Sequence, residues 1–216
     1  MKIYIGTDHA GFELKEKLKI FITELGHEIV DKGAFSVDSN DDYPDFIVPV
    51  ALSVANDKKS LGIVLGGSGE GEQISANKVD GVRAIEYYGG NLDIVKLGRE
   101  HNDANVLSLG ARFIKEDEAK EAVKLFIETS FSNEERHVRR LNEVKNEEMS
   151  KINRYFKILY YVGAFILTII GFIFILLKTA RLDEFSKKLN YIELWPLSVL
   201  FILILLFLIK ANRKIK

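Results

Sequence analysis

The sequence predicts an α/β fold, a doubly wound five-stranded, mostly parallel sheet between helices, followed by a C-terminal transmembrane helical hairpin. Three observations carry this. Up to about residue 130, short β-branched runs alternate with helical periodicity, the pattern of βαβ units around a parallel sheet. From Lys151 to the end, eleven basic residues stand against three acidic ones, which leaves Met1 to Ser150 at −9 within a total of −1. Ile158 to Leu177 is an unbroken run of twenty residues in which Thr168 alone is more polar than Tyr, long enough to cross a hydrocarbon core of about 30 Å. Composition therefore excludes a purely soluble protein. The absence of Cys excludes a disulfide framework, a Cys-based metal site and a thiol nucleophile. No leader is expected, because Met1 runs straight into an apolar strand pattern.

Taken in order, the strands are Lys2 to Gly6, Glu28 to Asp31, Gly62 to Leu65, Arg83 to Tyr87 and Val106 to Leu109, each apolar enough for helices on both faces. Between the first two, Leu14, Leu18, Phe21, Ile22 and Leu25 recur at helical spacing, and Gly26 supplies a left-handed cap. Pro44 to Asn56 and Glu116 to Thr129 read as crossover helices, Asp38 to Asp42 as a polar acidic loop, and Ile74 to Lys78 as a short helix. Ser132 and Glu135 have capping-box spacing and open a charged helix running toward the first apolar stretch. The resulting organisation is an α/β domain over 1–131, a charged stalk over 132–157, spans at 158–177 and 194–209 joined by 178–193, and a basic tail at 210–216. Trp195-Pro196 suits the start of the second span, with the indole at headgroup level.

Doubly wound sheets carry their sites beyond the carboxyl ends of the strands. After the first strand comes Thr7-Asp8-His9-Ala10-Gly11, a carboxylate and an imidazole on a turn. After the third comes Gly66-Gly67-Ser68-Gly69-Glu70-Gly71-Glu72-Gln73, whose glycines let backbone N–H groups converge on an anion. It matches neither the Walker A pattern nor the dinucleotide fingerprint, and a plain flexible turn is its alternative reading. Arg99-Glu100-His101-Asn102 precedes the fifth strand and Gly110-Ala111-Arg112 follows it. Arg136 and Arg140 stand one turn apart, able to share a phosphate or simply to be solvated. Nucleic acid is not expected as a partner, since this part of the chain is acidic and its basic residues are not interleaved with aromatics.

Together these segments resemble the ribose-5-phosphate isomerase type B (RpiB/LacAB) sugar-phosphate isomerases. The likeness rests on Asp8-His9-Ala10-Gly11-Phe12-Glu13-Leu14-Lys15, Asp42-Tyr43-Pro44, the glycine loop ending in Ser75-Ala76-Asn77-Lys78, Arg99 to Asn102, Gly110 to Arg112 and Arg136-His137-Val138-Arg139-Arg140, over Met1 to about Val144. The resemblance implies a Rossmann-like sandwich that interconverts a phosphorylated aldose and ketose without metal or cofactor. Many members place a Cys base at the position of Gly66. This chain is similar to the branch in which a glutamate, here Glu72, takes that role. The resemblance further implies that Ser68 and the N–H groups from Gly67 through Gly69 and Glu70 to Gly71 surround the oxyanion. It implies that His101 opens the sugar ring, that Asp8 and Tyr43 touch the sugar and that Asn102 bonds a reacting oxygen. His9, Arg112, Arg136 and Arg140 would hold the phosphate. It implies a homodimer with shared sites, the His101 to Arg112 region completing the partner's site.

The expected substrate pair is ribose 5-phosphate and ribulose 5-phosphate. The alternatives are a six-carbon (galactose- or allose-6-phosphate type) isomerase, or a catalytically silent, membrane-tethered sugar-phosphate sensor. Eight basic residues flank the hairpin outside the spans against four between them, so both termini and the isomerase domain are expected in the cytoplasm, with membrane lipid as a further partner.

Overall fold

The computed structural model describes residues 1–179; the expected second span, the basic tail and the connecting segment from residue 180 on lie outside the described residues, and residues 178 and 179 continue the helix of the first span. The chain divides into two units, Met1–Lys145 and Asn146–Lys216.

In the first unit the five strands are β1 (Lys2–Thr7), β2 (Glu28–Asp31), β3 (Leu61–Gly66), β4 (Ala84–Tyr87) and β5 (Val106–Gly110), ordered β2-β1-β3-β5-β4. All four pairings are parallel. β1, β3 and β5 read as near-continuous apolar runs because helices cover both their faces. The strand at each edge is less enclosed, and β2 has no fully buried residue.

Alternation along the strands sorts side chains into two cores. Ile3, Ile5, Ile63, Leu65, Leu107 and Leu109 meet Leu18 and Ile22 of α1 (Phe12–Glu24), Val95 of α4 (Asp93–Asn102) and Val123 and Phe126 of α5 (Glu116–Glu128). Val64, Ala84 and Val106 point the other way, onto Ile47, Val50 and Val54 of α2 (Pro44–Asn56) and Ala76 of α3 (Glu70–Ala76). Each fully buried aliphatic side chain is worth roughly 1.5–3 kcal/mol of transfer free energy. The α1 periodicity ends where expected, with Gly26 at φ +83 beyond the last turn.

Two expectations are corrected. The helix after the glycine loop does not start at Ile74 but at Glu70, because Gly69 at φ +90 turns the chain directly into it; Glu70 and Glu72 are therefore first-turn residues. Ser132 does not cap the late helix, α6 (Glu135–Thr179). Its hydroxyl accepts the Glu134 N–H at 3.4 Å, ahead of the first helical residue, while the His137 and Val138 N–H groups go to the Glu134 carbonyl.

In the second unit, Arg154–Gly171 of α6 is long and apolar enough to cross a membrane by length and composition. Most of its described side chains are exposed, Tyr155 at 75% and Phe165 at 67%, with Phe156 and Ala164 half-buried.

Candidate active site

Strand order reverses between β1 and β3, so their carboxyl ends diverge into helices on opposite faces and leave a crevice. Both ends are pinned. The buried Thr7 hydroxyl donates to the Leu65 carbonyl at 3.0 Å. Gly11 packs so tightly that a Cβ there would meet the Thr7 hydroxyl and lie 2.7 Å from the Leu65 Cβ. Fully buried Lys15 donates to both Asp31 oxygens (2.9 and 2.8 Å) and to the Ala34 carbonyl (2.6 Å), which fixes the chain after β2. That segment exchanges backbone hydrogen bonds with Thr7 at 2.8 and 2.6 Å.

The turn after β1 presents Asp8 and His9. Asp8 caps the short helical turn by accepting the Ala10 N–H at 3.0 Å. One Asp41 oxygen accepts from both the His9 backbone N–H (3.2 Å) and the ring Nδ1 (2.6 Å). That hydrogen bond raises the His9 pKa above 6.5, and the Asp8 charge adds to it. The pair therefore favours an imidazolium facing the crevice, as an anion site needs. Asp41 was legible only as part of an acidic loop, with no mark of this role.

The glycine loop after β3 holds Glu72. This carboxylate is 96% withdrawn from solvent, whereas Glu70 is exposed. A Cβ on Gly66 would fall within the Glu72 carboxyl group itself. Burial pushes the Glu72 pKa up and the Asp8 charge does likewise, against the backbone N–H groups of Glu72 and Gly69, which stabilise the anion. The Gly67, Ser68 and Gly71 N–H groups make no hydrogen bond among the described residues. The exposed Ser68 hydroxyl accepts the Glu70 N–H at 3.4 Å. Below the loop, the Ser108 hydroxyl donates to the Gly69 carbonyl at 2.7 Å.

Tyr43, beside the start of α2, packs on Gly71, its ring 2.8 Å from where a Cβ would stand. The Arg112 guanidinium lies over Gly67 at 3.4 Å by the same measure, and the Arg112 N–H donates to the Gly67 carbonyl at 3.1 Å. Arg112 therefore sits beside its own chain's glycine loop. A further carboxyl that the sequence did not flag, Glu86 of β4, has Oε1 buried without a partner beside Gly69. Burial, with the charges of Glu70 and Glu72, pushes its pKa up to about 7.

The remaining candidates gather elsewhere. α4 runs antiparallel to the strands, so His101 and Asn102 at its carboxyl end lie at the amino edge of the sheet, away from Glu72. There His101 stacks on His137 with ring centroids 4.2 Å apart. Burial and the neighbouring His101 push the His137 pKa down. Arg136 pairs with Glu134 at 2.8 Å, Arg140 is exposed, and the Ser132 N–H donates to the Glu100 carbonyl at 3.0 Å. One chain thus assembles Asp8, His9, Tyr43, Ser68, Glu72 and Arg112 at one edge. It holds His101, Asn102, Arg136 and Arg140 in a second group.

The ribose/galactose isomerase family matches residues 3–144. Ribose-5-phosphate isomerase B of Mycolicibacterium paratuberculosis is 45% identical over 142 residues, 66% of this chain and 88% of the relative. The Escherichia coli ribose-5-phosphate isomerase B is 37% identical over 146 residues, 66% of this chain and 93% of the relative. Among solved structures, ribose-5-phosphate isomerase B from Mycoplasma genitalium with bound ribulose-5-phosphate is similar at a TM-score of 0.65 and 36% identity, over 68% of this chain and 96% of that one.

Proposed function

The chain belongs to the ribose/galactose isomerase family, and from that membership we propose that it interconverts ribose 5-phosphate and ribulose 5-phosphate, with Glu72 as the base. The observation that carries the assignment is the buried Glu72 carboxylate filling the space beside Gly66, at the switch point between β1 and β3.

The C2 proton of the open-chain aldose is weakly acidic, so its removal needs a positioned base and donors for the oxyanion that forms. Glu72 takes the C2 proton, and the electron pair moves through C2 and C1 onto O1. The N–H groups of Ser68 and Gly71 are the donors for this enediolate. Glu72 returns the proton to C1 while a proton passes from O2 to O1, giving the ketose. A raised pKa suits the base, because a stronger carboxylate base removes a carbon-bound proton more readily. His9 and Arg112 face the phosphate from this edge of the sheet.

Ring opening and the rest of the phosphate grip need His101, Asn102, Arg136 and Arg140. Their position at the other edge supports a homodimer in which a second copy brings that group to Glu72. The apolar stretch of α6 supports a tether to the membrane, with the isomerase domain on the cytoplasmic side.

Incubation of the full-length chain with ribose 5-phosphate in deuterated water tests the reaction. Ketose formation with deuterium at the transferred position is expected. Turnover of a six-carbon aldose phosphate in place of the pentose would shift the substrate class. Tight binding without proton exchange would favour the silent sensor. For the tether, a membrane-impermeant thiol reagent on intact cells should label a Ser186→Cys variant and spare Ser132→Cys; the reverse pattern would invert the topology.

A further inference from the structure

Away from Glu72, at the amino edge of the sheet, lies a cavity of about 340 Å³. It is bounded by the carboxyl end of α2, the starts of β3 and β4, and the end of α4. Its wall carries Lys58, Arg83, Arg99 and Asp103, three cations against one carboxylate.

Asp103 is shared. Arg83 Nη2 reaches its Oδ2 at 2.6 Å, and Arg99 Nη1 reaches its Oδ1 at 3.5 Å. Arg99 also lies over the Phe126 ring, 5.3 Å from its centroid, and the remaining hydrogen bonds of both guanidiniums go to carbonyls. Arg83 Nε donates to Asn102 (3.0 Å) and Asp103 (2.8 Å), while Arg99 donates to Thr129 (3.1 Å) and Ala104. Arg99 is the costly member, its side chain only 12% exposed. Burial weakens its hold on the proton and the charge of Arg83 adds to this, against Asp103. Lys58 Nζ stands 3.2 Å from where a Cβ on Gly81 would lie, and it has no ion-pair partner among the described residues. Two positive charges are left without a counter-charge in a concave, partly desolvated place, where field lines concentrate and an anion is drawn in.

We propose that this cavity is a second anion site, in which Lys58, Arg83 and Arg99 bind the phosphate of a small soluble phosphate monoester. Arg83 Nη1 and Arg99 Nη2 make no hydrogen bond among the described residues, and beside the Lys58 ammonium they suit phosphate oxygens; the volume lies within the range of small-ligand pockets. Occupancy bears on catalysis through the end of α4. Arg83 holds the Asn102 and Asp103 carbonyls, so an anion that draws Arg83 inward acts on the backbone next to His101. This regulatory consequence rests on the proposed role of His101 and Asn102; the binding does not.

The test counts phosphate. Full-length protein in detergent is dialysed to equilibrium against radiolabelled orthophosphate and compared with Lys58→Glu, a change at an exposed residue outside the proposed active site. Lys58→Glu should bind one phosphate fewer per chain while melting as the parent does and keeping its kcat/KM in phosphate-free buffer within about twofold. In the parent, phosphate inhibition should retain a component that saturating ribose 5-phosphate does not relieve, and the variant should lose it. Equal phosphate counts in parent and variant would overturn the site. A lower count without the kinetic component would confirm binding and overturn the regulatory role. Because the count needs no turnover, failure of the isomerase assignment leaves it readable.

Discussion

Gly66→Ala isolates the relation between Gly66 and Glu72. The Gly66 backbone lies outside the left-handed region, so alanine brings no φ penalty and acts only through its methyl group. That methyl group falls within the Glu72 carboxyl group, whereas the same carbon at Gly67 would find its nearest neighbour at 3.4 Å. Either Glu72 leaves its pocket or β3 shifts, and over-packing of this kind costs about 1–3 kcal/mol. For a domain of this size that is a fall in Tm of roughly 2–10 °C. Displacing a general base removes about 10²–10⁴ in rate, so kcat should fall at least 10²-fold. KM should stay within about threefold, because His9 and Arg112 are untouched. The assay is ketose formation with a melt on the same samples, repeated in a Glu72→Ala background. There the methyl group has room, and its stability cost should shrink by about 0.5–3 kcal/mol, the coupling of a contacting pair. Retention of kcat within threefold by Gly66→Ala, or an equal stability cost in both backgrounds, would refute the reasoning.

Asp41→Asn removes the acceptor that raises the His9 pKa, so His9 should lose its proton at lower pH than in the parent. KM for the phosphorylated substrate should then rise several-fold at about pH 7.5 and return toward the parent value near pH 5.5, with kcat within about twofold; a KM change independent of pH would reject it. Glu86 holds its proton more tightly folded than unfolded, with a pKa near 7 against 4.5. Its contribution to stability is therefore full below 4.5 and lost as pH rises through 7. Glu86→Gln, neutral at every pH, should raise Tm above pH 7 and approach the parent toward pH 5, as pH-resolved melts would reveal. Mixing unfolded Glu72→Gln and His101→Ala chains and refolding them together should recover about a quarter of parental activity, since half the dimers are mixed and each regains one of two sites. Recovery of nothing would place both groups in one chain's site.

Much of this architecture was legible because its signals are local. The β1, β3 and β5 runs, the α1 periodicity and Gly26 each depend on a few neighbouring residues, and the strand ends named Asp8, His9, Glu72 and Arg112 directly. What escaped depends on distance in the chain. Asp41 meets His9 across 32 positions, and no local pattern marks one aspartate of an acidic loop as its partner. Glu86 has its meaning only from Gly69, brought over it by the β3 to β5 pairing. The capping box failed because Ser-x-x-Glu spacing is also met by a bend, and here the chain enters the helix two residues later. The Ile74 start failed because the glycines looked like a longer loop than one left-handed residue requires.

The carboxylate in the space beside Gly66 also bears on oxidative chemistry. A thiolate base is open to the ladder from sulfenic to sulfonic acid and to capping by electrophiles, since the ionised form that takes a proton is also the form that oxidants attack. A carboxylate has no such ladder, and this chain has no Cys anywhere. Peroxide or an alkylating reagent therefore finds no thiol beside Gly66, and two Met residues are the only thioethers left to oxidise. Flux through such an isomerase would persist through oxidant exposure that silences a thiol-dependent relative.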